Sequence, residues 1–452
     1  MTAALGANQY LTSFPVPRPD ILAPAGLDGN TGTAEILRLP QIQALIKKDF
    51  VVLPCDIVCE LPGHQLLTAW MVRAASLPGG PIQEDDDEDD DRDESCERTA
   101  YRNGGLGVWY ETRREGTEII KSEETDFVAV IPDKYPIAAW EQGTLLPNIQ
   151  RVALSTPTDS LRDVIEEQKG LVTRHSLIKR HPQVQMLSTR RDAHIYVLPR
   201  WVLHFVAEND KIETIGEDMI GWWAKATWQY GLADNLGLTK ALTTTSNLDS
   251  EDAEKKANSA GSPPIPETPA LELMNKFELA RQRHSTVPPL LAYLPPDSAN
   301  APLIRRVDNT ALLLEVSLRL AQLPSLEEAS NETASPFAHM RKVAYPQGVK
   351  ARTTISRADC LIGDNTTIGE RTTIKACVIG AGCRIGDGAR LTQCLLMDGV
   401  VVNDGCRLTR CVVGKRAVIG NNAVLTECEV QENLLVEKGG KQYHQVKLMC
   451  RS

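Results

Sequence analysis

The sequence predicts an α/β domain at residues 1–330 and a left-handed parallel β-helix at residues 343–436, joined by a linker at 331–342. Two observations predict this architecture. Strand-like and helical segments alternate in the first part of the chain, which is typical of α/β domains. A seventeen-residue repeat runs from 360 to 430, and repeats of this kind stack into solenoids. Residues 437–452 do not continue the repeat and are expected to form a frayed tail.

The repeat consists of one cysteine column and three aliphatic columns. Within each row the large aliphatic residues step by six, six and five positions, which indicates three short strands per coil and a triangular prism. Small residues two positions before the aliphatic ones are expected inside as well. We interpret the cysteines as small apolar fillers, because no histidine or paired carboxylate shares their column to complete a metal site. The cysteine column is Cys360, Cys377, Cys394, Cys411 and Cys428.

Glycines directly follow many of the inward aliphatic residues. We expect them to form the corners of the prism, because a tight corner requires backbone angles that glycine adopts at little cost. These glycines are Gly363, Gly369, Gly380, Gly386, Gly414 and Gly420. The sequence has no histidine between His339 and His444, so the coils offer neither a histidine base nor a three-histidine zinc site. Adhesion rather than catalysis is therefore the expected role of the β-helix.

One outward column of the prism is apolar. Leu361, Val378, Leu395 and Val412 lie between the cysteine and isoleucine columns, so strand alternation points them outward. We interpret this stripe as a partner interface, since large exposed apolar patches mark interaction sites. The alternative is that the chain's own N-terminal domain or tail covers the stripe. Under the first interpretation, Leu395→Asp releases a partner without unfolding the prism.

The first 330 residues contain several predictable elements. Residues 33–48 have helical spacing that Pro40 interrupts, and residues 309–323 have the leucine spacing of a helix. The continuous apolar run at 50–58 predicts a strand buried on both faces, and hence a parallel sheet. Strands are also predicted at 107–111 and 126–131, and a strand, a turn and a helix at 184–206. Because aromatic residues make up only 5% of the chain, the core is expected to be mostly aliphatic.

Two segments are expected to be flexible insertions, at 76–103 and 241–269. The first contains the acidic run EDDDEDDDRDE at 84–94, and the second is rich in Ser, Thr, Pro and Ala. We interpret the acidic run as a solvated loop, with an electrostatic lure for basic partners as the alternative, and expect its deletion to leave complex assembly intact. Outside this run the chain has 48 basic and 49 acidic residues, so no global basic field exists for specific nucleic-acid binding.

The compartment is indicated by what the sequence lacks. The first twenty residues have neither a basic start nor an apolar run, so no signal peptide is expected. No stretch approaches the ~20 apolar residues of a membrane span. Eleven cysteines without an export signal imply reduced thiols in the cytosol or the nucleus. Of these two compartments, we expect a cytoplasmic protein of the cytosol.

Two groups of residues in the first domain resemble parts of a ligand site. Gly26 to Ala34 places glycines at steps of three before a helix, where backbone amides can hold an anion. The alternative is a plain turn and helix cap. Asp56 follows the predicted buried strand, at the end where α/β sheets place ligand groups. Its alternative role is that of an ordinary turn residue.

Taken together, these residues and the repeat resemble the sugar-nucleotide pyrophosphorylase architecture, a nucleotidyltransferase-like (Rossmann-like) domain with a hexapeptide β-helix. Within it, the chain is most similar to the gamma subunits of eukaryotic translation initiation factor 2B. Gly32, Thr33, Ala34 and Asp56 carry part of this resemblance, as does the motif Ala193-His194-Ile195-Tyr196. The longer matching segments are NTGTAEILRLP at 30–40, DFVVLPCDIV at 49–58, HIYVLPRWVL at 194–203, LIRRVDNTALLLEVSLRL at 303–320 and CLLMDGVVV at 394–402.

The sequence departs from the enzymes of this architecture. They open with a strand, a glycine-rich loop and a Pro-Lys segment, and the chain has no such segment before Phe14, so its domain is expected to lack the first βα units. Asp56 corresponds to their metal-binding aspartate, but Cys55 precedes it where they carry glycine. The resemblance therefore implies a vestigial nucleotide pocket at Gly32, Thr33, Ala34 and Asp56, without catalytic residues, metal or cofactor. The epsilon subunit adds a C-terminal catalytic domain, for which no room follows residue 436.

The function implied by the resemblance is that of a non-catalytic regulatory or scaffold subunit of the initiation factor 2B guanine nucleotide exchange complex. Its expected partners are the epsilon subunit, the other subunits of that complex and initiation factor 2, a GTPase. The alternative class is an enzyme, a sugar-phosphate nucleotidyltransferase, which needs a glycine-rich loop, a cradling cation and two metal-binding acids. A third class, a β-helix adaptor of a cytoskeletal assembly, is disfavoured by the N-terminal α/β domain.

Overall fold

A computed structural model describes residues 20–75 (except 23, 25 and 26), 104–112, 123–132, 145–242 (except 172), 287–296, 301–327, 335–443 and 447–448. The predicted insertion at 76–103, with its acidic run, lies outside these residues, as does the part of the second insertion from 243 to 269. The chain divides into two compact units. The described residues of the first unit lie within 1–54, 62–114 and 124–299, and those of the second within 55–61, 115–123 and 300–452.

A mixed six-stranded sheet forms the centre of the first unit. Its strand order is β1-β6-β3-β7-β5-β4, with an additional pairing of β6 with β4. The pair β3–β7 is parallel and the other described pairs of this sheet are antiparallel. The strands are β1 Phe50–Val52, β3 Gly105–Glu111, β4 Asp126–Ile131, β5 Ile149–Thr156, β6 Gln185–Leu198 and β7 Leu290–Tyr293. This α/β unit with a mixed sheet agrees with the predicted fold class.

The prediction of one buried parallel strand at 50–58 is wrong. The run forms two short strands in two different sheets, separated by a turn at Cys55 and Asp56. β1 pairs antiparallel with β6 in the first unit, whereas β2 (Ile57–Cys59) pairs antiparallel with β8 (Ile304–Arg306) in the second. Pro54, which lacks a backbone N–H, cannot continue a strand ladder at this point.

The helices predicted at 33–48 and 309–323 are present in the structure. Residues 33–48 form two helices that meet at Pro40, which stands at the first position of the second helix, where its missing N–H costs nothing. Residues 185–208 form strand, turn and helix as predicted. The helices are α1 Thr33–Arg38, α2 Pro40–Leu45, α3 Gly63–Ala75, α4 Thr158–Gln168, α5 His175–Arg180, α6 Trp201–Glu208, α7 Ile220–Ala226, α8 Leu232–Asn235 and α9 Thr310–Gln322. A π-helical segment, Ile215–Met219, precedes α7.

The core of the first unit is more aromatic than the composition suggests. Trp109, Trp201 and Trp223 are fully buried, and the rings of Trp201 and Trp223 meet edge to face with centroids 4.8 Å apart. Edge-to-face aromatic pairs add about 0.5–1.5 kcal/mol beyond the area they bury. The few aromatic residues of the chain are thus concentrated in this unit, while the core of the second unit is aliphatic as predicted.

The second unit contains a parallel β-helix with three faces. Each face is a parallel sheet in which most residues pair with the residue seventeen positions further along the chain. The exceptions are at the two ends, where Thr354 pairs with Thr373, nineteen positions away, and Glu429 pairs with Lys447, eighteen positions away. Face A contains Leu361–Ile362, Val378–Ile379, Leu395–Leu396, Val412–Val413, Glu429–Val430 and Lys447–Leu448. Face B contains Thr367–Ile368, Arg384–Ile385, Val401–Val402, Val418–Ile419 and Leu435–Val436. Face C contains Thr354–Ile355, Thr373–Lys375, Arg390–Thr392, Arg407–Thr409, Val424–Thr426 and Lys441–Tyr443.

The inside of the prism is filled as the repeat predicts. The cysteine column and the three aliphatic columns are buried, and so are the small residues that precede the aliphatic ones, such as Thr366 and Ala389. The hydroxyls of Thr366 and Thr372 donate to the carbonyls of Gly380 and Gly386 in the next coil, at 2.9 and 3.1 Å. A buried hydroxyl without such a partner would destabilise the core.

Glycine is required at the corners of the prism for a different reason from the one predicted. Gly363, Gly380 and the glycines at equivalent positions are not in the left-handed region. They are required because a Cβ atom there would collide with the backbone of the next coil; at Gly380 it would lie 2.7 Å from the Asp398 nitrogen. The left-handed backbone falls two residues later, at Gly382 and at Asn365 among others.

The chain continues the solenoid beyond the predicted boundary at 436. Residues 441–443 pair in parallel with Val424–Thr426, and residues 447–448 pair with Glu429–Val430. The expectation of a frayed tail is therefore wrong for these residues. The pairing protects the edges that the preceding coil would otherwise expose on faces A and C.

Candidate nucleotide pocket and partner interface

Gly32 forms the N-cap of helix α1 and not an open anion cradle. The amide of Ala34 donates to the carbonyl of Glu213 at 2.9 Å, and the Gly32 amide donates to the Glu35 carboxylate at 3.1 Å. A side chain at Gly32 would collide with that same Glu213 carbonyl, which explains the glycine. The amides that a phosphate would need are thus used by the protein itself, as the plain-cap alternative requires.

Thr33 and Ala34 serve the docking of the same helix. The Thr33 hydroxyl accepts a hydrogen bond of 2.9 Å from the amide of Ile215, at the start of the π-helical segment. Ala34 is fully buried in the core of the first unit. The structure therefore brings Gly32, Thr33 and Ala34 together, with roles in packing.

Asp56 lies in the second unit, in the turn between β1 and β2. Its Oδ2 atom accepts from Nε and Nη2 of Arg306 on β8, at 3.3 and 3.2 Å. Its carbonyl accepts from the Val307 amide at 2.7 Å. Asp56 thus fastens β2 to β8 and belongs to a different unit from Gly32, so the two halves of the predicted pocket do not share one compact unit.

The motif Ala193-His194-Ile195-Tyr196 is part of a buried polar network on β6. The Tyr196 hydroxyl donates to Oδ2 of Asp192, and the His194 amide donates to Oδ1 of the same Asp192 carboxylate at 2.8 Å. The Asp192 amide in turn donates to Asp126 on β4 at 2.7 Å. His194 adopts a left-handed backbone conformation, with φ of 53°, and this network holds it there. The sequence identifies the motif, but no pattern in the sequence indicates the hydrogen bond between Asp192 and Asp126.

Acidic side chains also surround Glu217 on the π-helical segment. Its pKa is raised, first by burial and then by the charges of Asp159, Asp218 and Asp126. Within the described residues, however, no three His, Cys, Asp or Glu side chains are arranged to hold a metal ion.

The predicted partner stripe is covered by the chain's own helix α9. Leu395 and Val412 are buried and pack in one cluster with Leu314, flanked by Leu313, Leu318 and other apolar residues that include Val378. Leu361, at the top of the stripe, is buried as well. The expectation of an exposed stripe is therefore wrong, and the alternative, that the chain itself covers it, is correct. The side chains of the stripe do point out of the prism, as predicted. The sequence did not show that helix α9 lies across face A and covers them.

Helix α9 is held at both ends. At its start the Asn309 side chain caps the helix by accepting from the Leu312 amide at 2.8 Å, and Thr310 contacts Glu429 of face A. At its end the buried Lys342 ammonium contacts the carbonyl of Ala321, where a cation stabilises the helix dipole. The helix groups with the prism in the second unit, although it falls within the predicted first domain at 1–330.

The thiols of the cysteine column are buried. Burial raises the pKa of Cys360 to about 11 and that of Cys394 to about 12. A hydrogen bond with Cys394, followed by burial, raises the pKa of Cys411 as well. Thiolates are the form that binds metals and reacts with electrophiles, so this column acts as a packing element, as predicted.

None of the helices in the described part of the chain combines the length and the apolar character needed to cross a lipid bilayer.

An α/β unit and a parallel β-helix in one chain define the class of this protein. Residues 344–441 match the family model described as the EIF2B subunit epsilon LbH domain, which makes the predicted left-handed β-helix explicit. The gamma subunit of translation initiation factor eIF2B from Schizosaccharomyces pombe is 26% identical to this chain over 235 residues. That match covers 52% of this chain and 41% of the relative, so it spans less than half of the relative's length. Both findings support a protein related to eIF2B subunits, and they point to two different subunits.

Proposed function

We propose that this protein is a non-catalytic, regulatory subunit of an initiation factor 2B-type guanine nucleotide exchange complex in the cytosol. In this role it pairs with an epsilon-type subunit and supports the exchange of GDP for GTP on initiation factor 2. The observation that carries the proposal is that this chain is similar to two subunits of one factor. Residues 344–441 match the epsilon subunit's domain, and about half of the chain is similar to a gamma subunit.

The use of the candidate residues favours a scaffold over an enzyme. The first amides of α1 are bonded to the Glu213 carbonyl, so a phosphate could bind them only by displacing that contact. The Asp56 carboxylate is bonded to Arg306, and a metal ion there would have to compete with a guanidinium. Catalytic positions of a nucleotidyltransferase would instead need free carboxylates at a substrate cleft.

The test is co-expression with the epsilon-type and other initiation factor 2B subunits of the same organism. We expect native mass spectrometry to detect a stable heteromer containing this chain, and the heteromer to release GDP from initiation factor 2 faster than the epsilon-type subunit alone. A chain that stays alone with every subunit contradicts the proposal. The same preparation serves for a pyrophosphate-release assay with nucleoside triphosphates and sugar phosphates, where clear turnover would favour the alternative nucleotidyltransferase.

A further inference from the structure

A second surface, in the first unit, combines exposed apolar side chains with cations. It consists of Arg174 at the N-cap of helix α5, Ile178 on that helix, Trp222 and Lys225 on helix α7, and Tyr230 in the turn after α7. We call these five residues the basic-aromatic patch. None of them belongs to the candidate pocket or to the covered face of the prism.

The patch rests on a rigid support. Helix α5 is anchored by Leu177, which is fully buried against Ala153 and Trp228. The indole nitrogen of Trp228 donates to the Ala153 carbonyl at 2.6 Å, and Arg180 donates to the carbonyl of Trp228 at 3.1 Å. These contacts fix α5 beside the end of α7 and hold the turn that carries Tyr230.

Within the described part of the chain, no carboxylate forms an ion pair with the cations of the patch. The Lys225 ammonium lies 5.2 Å from the centre of the Trp222 ring. Burial, and then the positive charge of Arg174, lower the pKa of Lys225, so the two cations repel each other. Such a pair of charges favours an acidic partner, whose approach relieves the repulsion.

The apolar members of the patch are exposed to an unusual degree. The exposed fraction is 92% for Tyr230, 41% for Trp222 and 42% for Ile178. Ile178 lies in the first turn of α5, which begins directly after Arg174. Tryptophan, tyrosine and arginine are the residues that dominate binding energy in protein interfaces.

We propose that the basic-aromatic patch docks an acidic segment of a partner protein, one that carries aromatic or aliphatic side chains among its carboxylates. Carboxylates pair with Arg174 and Lys225, while the apolar side chains cover Ile178 and Trp222. Single-stranded RNA also binds through cations and aromatic rings, but such sites follow the backbone with a positively charged groove, whereas the patch has two cations beside three exposed apolar or aromatic side chains. The proposal goes beyond the proposed function, because it does not depend on which complex the chain joins.

The test uses the full chain and a fluorescein-labelled twelve-residue peptide that contains eight Asp or Glu, two Phe and two Leu. We expect fluorescence anisotropy to show binding that Trp222→Ala and Arg174→Gln each weaken about tenfold, the effect of losing one interface anchor. The matched controls, Met340→Ala and Arg384→Gln, change an exposed apolar residue and an exposed cation of the second unit and should bind like the unchanged chain. A peptide with Ser in place of Phe and Leu should bind more weakly, and circular dichroism checks the fold of every variant.

Three results would overturn the proposal. The first is equal peptide binding by the unchanged chain and both patch variants. The second is tighter binding of a twelve-nucleotide oligouridine than of the peptide, lost in the same variants, which would make the patch an RNA surface. The third is peptide binding that occurs only when residues 84–94 are deleted, which would identify the chain's own acidic run as the occupant.

Discussion

Leu314 of helix α9 packs against Leu395 of face A, so the outward column of the prism is sealed by a helix of the same unit. Both side chains are less than a tenth exposed. The column therefore belongs to the hydrophobic core of the second unit.

Because Leu395 is buried under α9, we expect Leu395→Ala to destabilise the second unit by about 2–4 kcal/mol, the range for truncating a buried leucine. Urea denaturation of the full chain, followed by far-ultraviolet circular dichroism, measures the change. The matched control is Leu435→Ala on face B, where the leucine is 67% exposed and the loss should stay within about 0.5 kcal/mol. Equal stability of the two variants would contradict the burial of Leu395 under α9, and the stripe would again be a candidate partner surface.

The Asp56–Arg306 ion pair gives the second prediction. The pair is partly exposed and joins β2 to β8, so we expect Asp56→Ala to cost about 1 kcal/mol of stability. A double-mutant cycle with Arg306→Ala should give a coupling energy of roughly 0.5–1 kcal/mol.

The same variant separates the structural role of Asp56 from that of a metal ligand. We expect the unchanged chain and Asp56→Ala to give the same heat in a calorimetric titration with magnesium and GTP. Binding that Asp56→Ala abolishes, together with a coupling energy near zero, contradicts the structural assignment.

The β-helix could be predicted nearly residue by residue because its signal is repeated. Each inward position is occupied by the same kind of side chain in four or five coils, so a single irregular residue does not obscure the column. The buried state of Cys360 to Cys428 and of the aliphatic columns follows directly from this redundancy.

The candidate sites were less predictable, because they depend on contacts between distant residues. The apolar run at 50–58 does not reveal that its residues divide between two sheets. The residues around Asp56 likewise do not indicate that it pairs with Arg306, 250 positions away. Two signals did exist for the covered stripe: an apolar column without a partner, and a leucine-rich helix at 310–322. Their complementarity becomes evident only when the helix lies across the face.

The third prediction contrasts two glycines of one corner. A Cβ at Gly380 would lie 2.7 Å from the Asp398 nitrogen and 2.8 Å from the Met397 carbonyl carbon, so we expect Gly380→Asn to destabilise the prism by about 1–3 kcal/mol or more. Gly382 has φ of 65° and open space around it, and asparagine tolerates this conformation, as Asn422 shows in a later coil. Gly382→Asn should therefore cost less than about 1 kcal/mol.

Thermal unfolding of the two variants, recorded by calorimetry, ranks them directly. The order would be reversed if left-handed backbone angles, rather than close stacking of the coils, were the reason for glycine at position 380.

The last prediction concerns the buried thiols. The ordinary thiol pKa is 9.0, and burial raises that of Cys360 to about 11 and that of Cys394 to about 12. Below pH 9 these thiols are protonated in both the folded and the unfolded chain, and their contribution to stability is fully present. Above pH 9 the unfolded chain ionises first, so the free energy of unfolding should fall as the pH rises from 9 towards 11, by about 1.4 kcal/mol per pH unit for each such thiol.

Urea denaturation under reducing conditions at pH 7.5, 9 and 10 measures this slope. Lysine and tyrosine side chains titrate in the same range, so the diagnostic comparison is between variants. Cys394→Ala should reduce the slope between pH 9 and 10 by about one thiol's share. In the folded chain at pH 8, iodoacetamide followed by mass spectrometry should modify Cys55 readily and spare the column at Cys360, Cys377, Cys394, Cys411 and Cys428. Rapid modification of Cys394 without unfolding would show that the interior of the prism opens to solvent.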